Sequence, residues 1–269
     1  MKHLLTGQFY GQTNETIYLE GITLTDTEYT HDKVDWHYHE NAYFTFILQG
    51  KVIEGNKKAV HNCSAGTLLF HNWQEAHYNI KPAGFTRGFH IEFEQPWLDA
   101  FDLDLNILQG NIHILNPHIK ILLRKIFKET KIKDGTTVLS IQSLLLQTLT
   151  SLQQSEQTEV KNKPQWVHTI GEILRDQYAE NLSLKSLSGI ADIYPVHLSR
   201  DFSKYFQSSL GEYIRKLRIE KALSLLADKK KSLTDITFEC GFSDQSHFIR
   251  CFREIIGITP SAYRKIILC

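Results

Sequence analysis

Residues 236–264 read ITFECGFSDQSHFIRCFREIIGITPSAYR, and this stretch decides the class of the C-terminal part. Leu233, Ile236 and Cys240 recur at helical spacing, and Gly241-Phe242 then interrupts the pattern. Glycine at the interruption can take positive φ without a Cβ clash, which a tight turn needs. Ser243 is placed to cap a second helix whose inward residues are Phe248 and Phe252. Gln245, Ser246, His247 and Arg250 are left facing outward. Two short helices joined by a tight turn, the second polar on its outer face, form a helix-turn-helix, and the second helix is sized for a major groove.

About fifty residues upstream the arrangement recurs in LSLKSLSGIADIYPVHLSRDF, residues 182–202. Ser183 can cap a short helix with Leu184, Leu187, Ile190 and Ala191 as its apolar residues. A turn follows over Asp192–Tyr194. Pro195 suits the first position of a second helix, with Leu198 and Phe202 inward and Val196, Ser199 and Arg200 outward. Arg200-x-Phe202 and Arg250-x-Phe252 form the repeat pair. Tyr213, Ile214, Leu217, Ala222, Leu225 and Leu226 mark a longer helix that would hold the two units at a fixed separation.

At this density of matched positions the chain resembles the AraC/XylS family of bacterial regulators over roughly Trp166–Lys265. The motif runs Ile236-x3-Cys240-Gly241-Phe242-x2-Gln245-Ser246-x-Phe248-x-Arg250-x-Phe252-Arg253, then Gly257-x-Thr259-Pro260-x2-Tyr263-Arg264. The resemblance implies two rigidly joined helix-turn-helix units that read successive major grooves on one face of double-stranded DNA. It also brings RNA polymerase in as a second macromolecular partner to consider. Carried over position by position, the base-facing residues are Val196, Ser199 and Arg200 in the first unit. In the second they are Gln245, Ser246, His247 and Arg250. Arg pairs bidentately with guanine and Gln with adenine, while Ser and His make single bonds or reach phosphate. Two positions depart from the family: Asp192 stands where it often has a glycine, and Tyr194 where it usually has a capping Ser.

The first hundred residues have a different period. Ile17–Thr25, Tyr43–Leu48, Thr67–Phe70 and Thr86–Glu94 are rich in β-branched and aromatic residues, with corners at Gly50, Gly55-Asn56, Gly66, Pro82 and Gly84. Short, regularly spaced strands predict a barrel or sandwich. From Pro117 the spacing turns helical through Ile119, Leu122, Leu123, Ile126 and Phe127. A second stripe follows at Val138, Ile141, Leu144, Leu145, Leu149 and Leu152, after a turn at Lys133-Asp134-Gly135. This hairpin has more apolar surface than its own pairing needs, which serves either packing on the barrel or a homodimer seam. The polar stretch QQSEQTEVKNKPQ, residues 153–165, reads as a linker. The expected architecture is therefore α+β in two domains. A β-barrel with a helical hairpin spans 1–152, and an all-α double helix-turn-helix spans 166–269.

Bulk properties agree with a DNA-facing C-terminal half. Residues 1–163 hold 15 Lys and Arg against 18 Asp and Glu, whereas 164–269 hold 15 against 12. The start of the chain lacks an apolar run of signal-peptide length, and four cysteines without CxxC spacing suit a reducing cytoplasm better than a disulfide framework or zinc finger.

Trp36-His37-Tyr38-His39, followed by Gly50 and by Gly66-x4-His71-x5-His77-x-Asn79, resembles the two cupin motifs over about Leu24–Glu94. His37, His39 and His77 stand at the histidine positions that hold a divalent metal in metal-binding cupins. The glutamate position falls near Phe44, which cannot ligate, and Glu40 is out of phase with the histidines. His37 and His39 alternate on a strand and so face one side. Three imidazoles there either hold a metal or line a polar pocket without one. With Tyr38 and Trp73, and with Trp36, Tyr43, Tyr78 and His90 nearby, they suit a small polar effector such as a sugar. The leading expectation is a DNA-binding transcription regulator that responds to such an effector, has no catalytic residues and requires no cofactor. The alternatives are a metal-binding cupin enzyme with an appended helical domain, and a regulator whose barrel only dimerises.

Overall fold

The run from Ala42 to Gln49 is apolar or β-branched at nearly every position, so it needs cover on both faces, and the architecture supplies it. A computed structural model describes residues 1–103, 112–160 and 163–268 in two compact units, Met1–Gln153 and Gln154–Cys269. In the first unit, β1 (Lys2–Leu4), β2 (Gln12–Leu19), β3 (Ile22–Glu28), β4 (Lys33–His39), β5 (Ala42–Gln49) and β6 (Lys51–Asn56) come first. β7 (Val60–Ser64), β8 (Leu68–His71), β9 (His77–Ile80), β10 (Arg87–Phe93), α1 (Gln95–Ala100) and β11 (Ile112–His113) follow. One sheet has the order β1-β4-β9-β6-β7 and the other β11-β8-β5-β10-β3-β2. Among the described residues no strand pairs across the two sheets, so the expected barrel is not closed: the strands form two sheets with separate edges.

Two further expectations change at the level of single residues. The strand expected over Ile17–Thr25 is two strands, β2 and β3, hinged at Glu20-Gly21. Gly21 has φ 71° and sits where a Cβ would lie 2.5 Å from Cβ of Trp97, so the turn depends on its missing side chain. β4 pairs in parallel with β1 and antiparallel with β9, which sets His37 directly opposite His77.

The helical hairpin is α2 (Pro117–Ile132) and α3 (Thr137–Val160), with Lys133 in the left-handed conformation at the end of α2. Part of its apolar surplus is accounted for by the sheet. Phe127 meets Phe89 at 5.3 Å, and the buried Arg124 lies over the Phe46 ring. A charged cluster fixes the same contact: Arg87 grips Asp26 with two hydrogen bonds of 2.8 and 2.7 Å, and Lys131 reaches Asp26 and Glu15 at 2.7 Å. Burial pushes the Asp26 carboxyl up, but the hydrogen bonds from Arg87 and Lys131 outweigh it and hold it below the ordinary range. Val138, assigned to the inward stripe of α3, is exposed together with Leu139. α3 also continues through Val160 into the stretch expected as a linker, because its Gln and Glu residues are good helix formers. Residues 161 and 162 of that stretch lie outside the described residues.

The second unit is all helix: α4 (Gln165–Asp176), α5 (Leu184–Ile190), α6 (Pro195–Phe206), α7 (Leu210–Leu225), α8 (Leu233–Glu239), α9 (Gln245–Ile256) and α10 (Pro260–Leu268). Ile170, Leu174, Leu187, Leu198, Phe202 and Leu217 close one core. Ile236, Cys240, Phe248, Phe252, Ile256 and Tyr263 are buried in the other helix-turn-helix. α7 touches α6, α8 and α9, as a shared spacer must. Ile190, expected inward on α5, is exposed, since α5 ends there and the chain turns away.

Candidate nucleic-acid interface and N-terminal cavity

Each outer helix begins at a turn that fixes which side faces solvent. In the second unit Gly241 takes φ 78°, and a Cβ there would sit 2.3 Å from the carbonyl oxygen of Ala179. Asp244, not Ser243, caps α9: its Oδ1 accepts from the His247 N–H at 2.8 Å, while Ser243 Oγ turns to the Asp244 carboxylate. That backbone hydrogen bond holds the Asp244 carboxyl below its ordinary value. With Phe248 and Phe252 buried, Gln245, Ser246 and Arg250 are exposed along one face of α9. His247 is half-buried and meets Phe242 edge-on at 5.5 Å. Gln245 Oε1 accepts from Thr234 Oγ1 at 3.4 Å, a contact that ties α9 back to α8.

In the first unit Ser183 caps α5 as expected, in a reciprocal box with Ser186. Asp192 adopts φ 48°, and Tyr194 at the cap of α6 makes no side-chain hydrogen bond. Val196, Ser199 and Arg200 are exposed. Arg200 is engaged with its neighbour, donating to both carboxylate oxygens of Asp201 at 2.9 and 3.0 Å.

Sequence reasoning missed Arg218. Its guanidinium donates to the carbonyls of Tyr178 and Glu180 and lies over the Phe242 ring. One side chain of the spacer α7 thus clamps the segment before α5 to the turn before α9, which is the physical content of a rigid join. Nothing in its local pattern separates it from the other cations of α7.

The N-terminal cavity lies between the sheets and is lined by His37, His39, Glu54 and His77 from one and by Tyr43 and His90 from the other, with Phe9 and Tyr10 at its edge. The three histidines predicted to converge do so, all nearly fully buried, with one ring nitrogen of each within 4.8 Å of the others. Burial, then the proximity of His37, pushes His77 down to about 3; burial dominates at His90 too, also near 3. Burial likewise lowers His37 and, with the His77 and His37 charges, lowers His39 further, so the rings are neutral near pH 7. Tyr38 and Trp73 lie outside the cavity. Tyr38 alternates to the other face of β4 and stacks on His3, and Trp73 is exposed. Glu54, unremarked in the sequence, is buried here; its place two residues after Val52 on an inward-alternating strand was the available signal.

A model described as a helix-turn-helix domain matches residues 187–266. The chain is 34% identical over 96 residues to an uncharacterised transcriptional regulator, YpdC, from Escherichia coli K12, a segment covering 36% of this chain and 34% of YpdC. The chain thus spans about a third of that relative. An uncharacterised regulator of Bacillus subtilis strain 168, YdeC, is 23% identical across 86% of each chain. PqrA, a probable transcription factor of Proteus vulgaris, is 33% identical over 89 residues, which span 33% of this chain and 73% of PqrA. Two helix-turn-helix units on a shared spacer, the matched domain and these relatives lead to one assignment: the chain belongs to the AraC/XylS family of transcription regulators.

Proposed function

We propose that the protein regulates transcription by inserting α6 and α9 into successive major grooves of double-stranded DNA, under control of a signal held in the N-terminal cavity. The observation that carries this reading is the pair of exposed helix faces, Val196, Ser199 and Arg200 on one and Gln245, Ser246 and Arg250 on the other, each behind a tight turn. Arg250, with two donors, and Gln245, with one donor and one acceptor, supply the bidentate groups that distinguish bases; Ser199, Ser246 and His247 position the helices on phosphate or single base edges. Residues 1–152 act as the sensor and 166–269 as the reader, and the role is regulatory rather than enzymatic. His37, His39 and His77 are the signal-binding residues, joined by Tyr43 and His90. A homodimer through α2 and α3, where Val138 and Leu139 are exposed, would place two readers on paired sites and RNA polymerase beside them. Among the described residues no helix is long and apolar enough to cross a membrane, and we assign the protein to the cytoplasm, where its DNA is.

Selection from a random DNA pool with the full chain tests the reading. One enriched motif is expected, with affinity falling steeply as salt rises because phosphate contacts release counterions. Retention of the pool without enrichment would remove the sequence-specific role.

A further inference from the structure

α6 and α9 match position for position. Each is 12 residues long, the caps are Tyr194 and Asp244, and the buried anchors are Leu198 and Phe202 in one, Phe248 and Phe252 in the other. A helix-turn-helix brings the first residues of its second helix to the base edges. There α9 presents Asp244, Gln245 and Ser246, all polar and exposed. At the same three positions α6 presents Tyr194, Pro195 and Val196, also exposed, Tyr194 by 78% and Val196 by 75%.

The two tips therefore offer different chemistry. Neither Pro195 nor Val196 has a side-chain donor or acceptor, and Pro195 lacks a backbone N–H as well. Farther along α6, Arg200 already donates to both carboxylate oxygens of Asp201 at 2.9 and 3.0 Å. Ser199 keeps one hydroxyl, which suits several bases and so selects none. A single valine on a protein surface carries no meaning by itself. At the tip of a helix whose counterpart is polar throughout, it does.

One base-edge group in the major groove is apolar, the C5 methyl of thymine. Packing Val196 on that methyl removes both from water. The same approach to guanine, or to the amino group of cytosine, would strip hydration from a polar edge and return no hydrogen bond. An apolar tip thus discriminates between bases as well as a polar one does, by a different force.

We propose that the first unit is a thymine reader, in which Val196 at the tip of α6 packs on the C5 methyl of a T·A pair while the second unit offers hydrogen bonds. This rests on the DNA-reading role proposed above and names the base that one half of the site must contain.

The test uses the full chain and the duplex enriched by selection. Each thymine is replaced in turn by deoxyuridine, which lacks the C5 methyl and keeps every hydrogen-bonding group, and affinity is measured by fluorescence titration. One replacement should weaken the parent by about fourfold, the partition expected for one buried methyl group. Val196→Ser gives α6 the residue that α9 has at this position, and at so exposed a residue it spares the fold. It should bind the thymine and deoxyuridine duplexes alike. In a repeat selection it should lose the preference for T·A at that pair and keep the preferences elsewhere. If no deoxyuridine weakens the parent, or if the same loss persists in Val196→Ser, the contact is overturned, the second case pointing to DNA shape instead. A relaxed G·C pair in the repeat selection would overturn it too. An enriched motif that is indifferent to the methyl sinks the thymine reading alone, whereas no enriched motif sinks the sequence-specific role and this reading with it.

Discussion

The two helix-turn-helix units solve one geometric problem with different residues, and the second solves it better. Both turns demand a left-handed residue. The second unit uses Gly241 at φ 78°, whereas the first forces Asp192 to 48°. Both outer helices need an N-cap: α9 has the Asp244 carboxylate, and α6 has Tyr194, whose side chain makes no cap hydrogen bond. Both helices end left-handed, α9 on Gly257 and α6 on Gln207. A non-glycine residue in that region costs of order 1–3 kcal/mol, with Asp at the low end because its side chain tolerates it. The first unit therefore carries backbone strain at two places, Asp192 and Gln207, and lacks a cap hydrogen bond at a third, whereas the second has none of these costs. It should open more readily, with faster amide exchange in α6 than in α9.

The largest effect should come from breaking the better turn. Gly241→Ala places a Cβ against backbone that cannot yield, since the obstacle is the Ala179 carbonyl rather than a side-chain tip. Strain and overpacking together should cost roughly 2–5 kcal/mol, enough to unfold the second unit in a thermal melt. Asp192→Gly makes the opposite change: relief of strain minus the extra entropy of an unfolded glycine leaves a gain of under about 1 kcal/mol. If Gly241→Ala melts like the parent, the tight approach to Ala179 is not a constraint and the contrast between the turns fails.

Next in size are the two arginines proposed to read bases. Arg250 is exposed and its fork pairs with no carboxylate among the described residues, while Arg200 is held bidentately by Asp201. Arg250→Ala should cost about 1–3 kcal/mol at the selected site and flatten discrimination at one base pair. Arg200→Ala should cost less, because its contact with DNA must first displace Asp201. Asp201→Asn should then tighten binding by freeing Arg200 and removing a negative charge near phosphate. Fluorescence titrations of the three variants on one duplex rank the units. Equal losses at both arginines would show that the Asp201 pair does not hold Arg200 back.

These contrasts show what was legible in the residues. The second unit could be read almost completely, since Ile236, Gly241, Phe248 and Phe252 carry helical period and turn chemistry in one short window. Its cap was misplaced by one residue because Ser243 and Asp244 are both competent acceptors, and only the observed bond to His247 chooses between them. In the N-terminal unit, alternation on β4 brought His37 and His39 to one side, but the partners of a cavity come from distant strands. Alternation with Val52 puts Glu54 on an inward face and His90 was among the candidates, but which strands bring them to the histidines depends on the pairing of β6 with β9 and of β10 with β5, which no local pattern encodes. Tyr38 shows the same limit from the other side: its aromatic character suggested a pocket, and the pleat sends it away.

The smallest effect concerns the caps, and it separates the units by pH. Supplying the missing acceptor by Tyr194→Ser should stabilise α6 by about 0.5–1 kcal/mol, whereas Asp244→Ala should lower the melting temperature by removing an acceptor from α9. The Asp244 carboxyl is depressed in the folded state, first by the His247 N–H and further by Ser243. A group depressed on folding contributes stability that is fully present above its unfolded value, here 3.8, and is lost as pH falls through the folded value. Acidification below about pH 4 should therefore loosen the first turn of α9 while leaving the start of α6, which has no titrating cap, unchanged. Amide shifts of His247 and His197 followed down the pH scale would show this directly. The His247 amide should titrate with a midpoint below 3.8 and lose that step in Asp244→Asn, and a matching step at His197 would erase the distinction between the two caps.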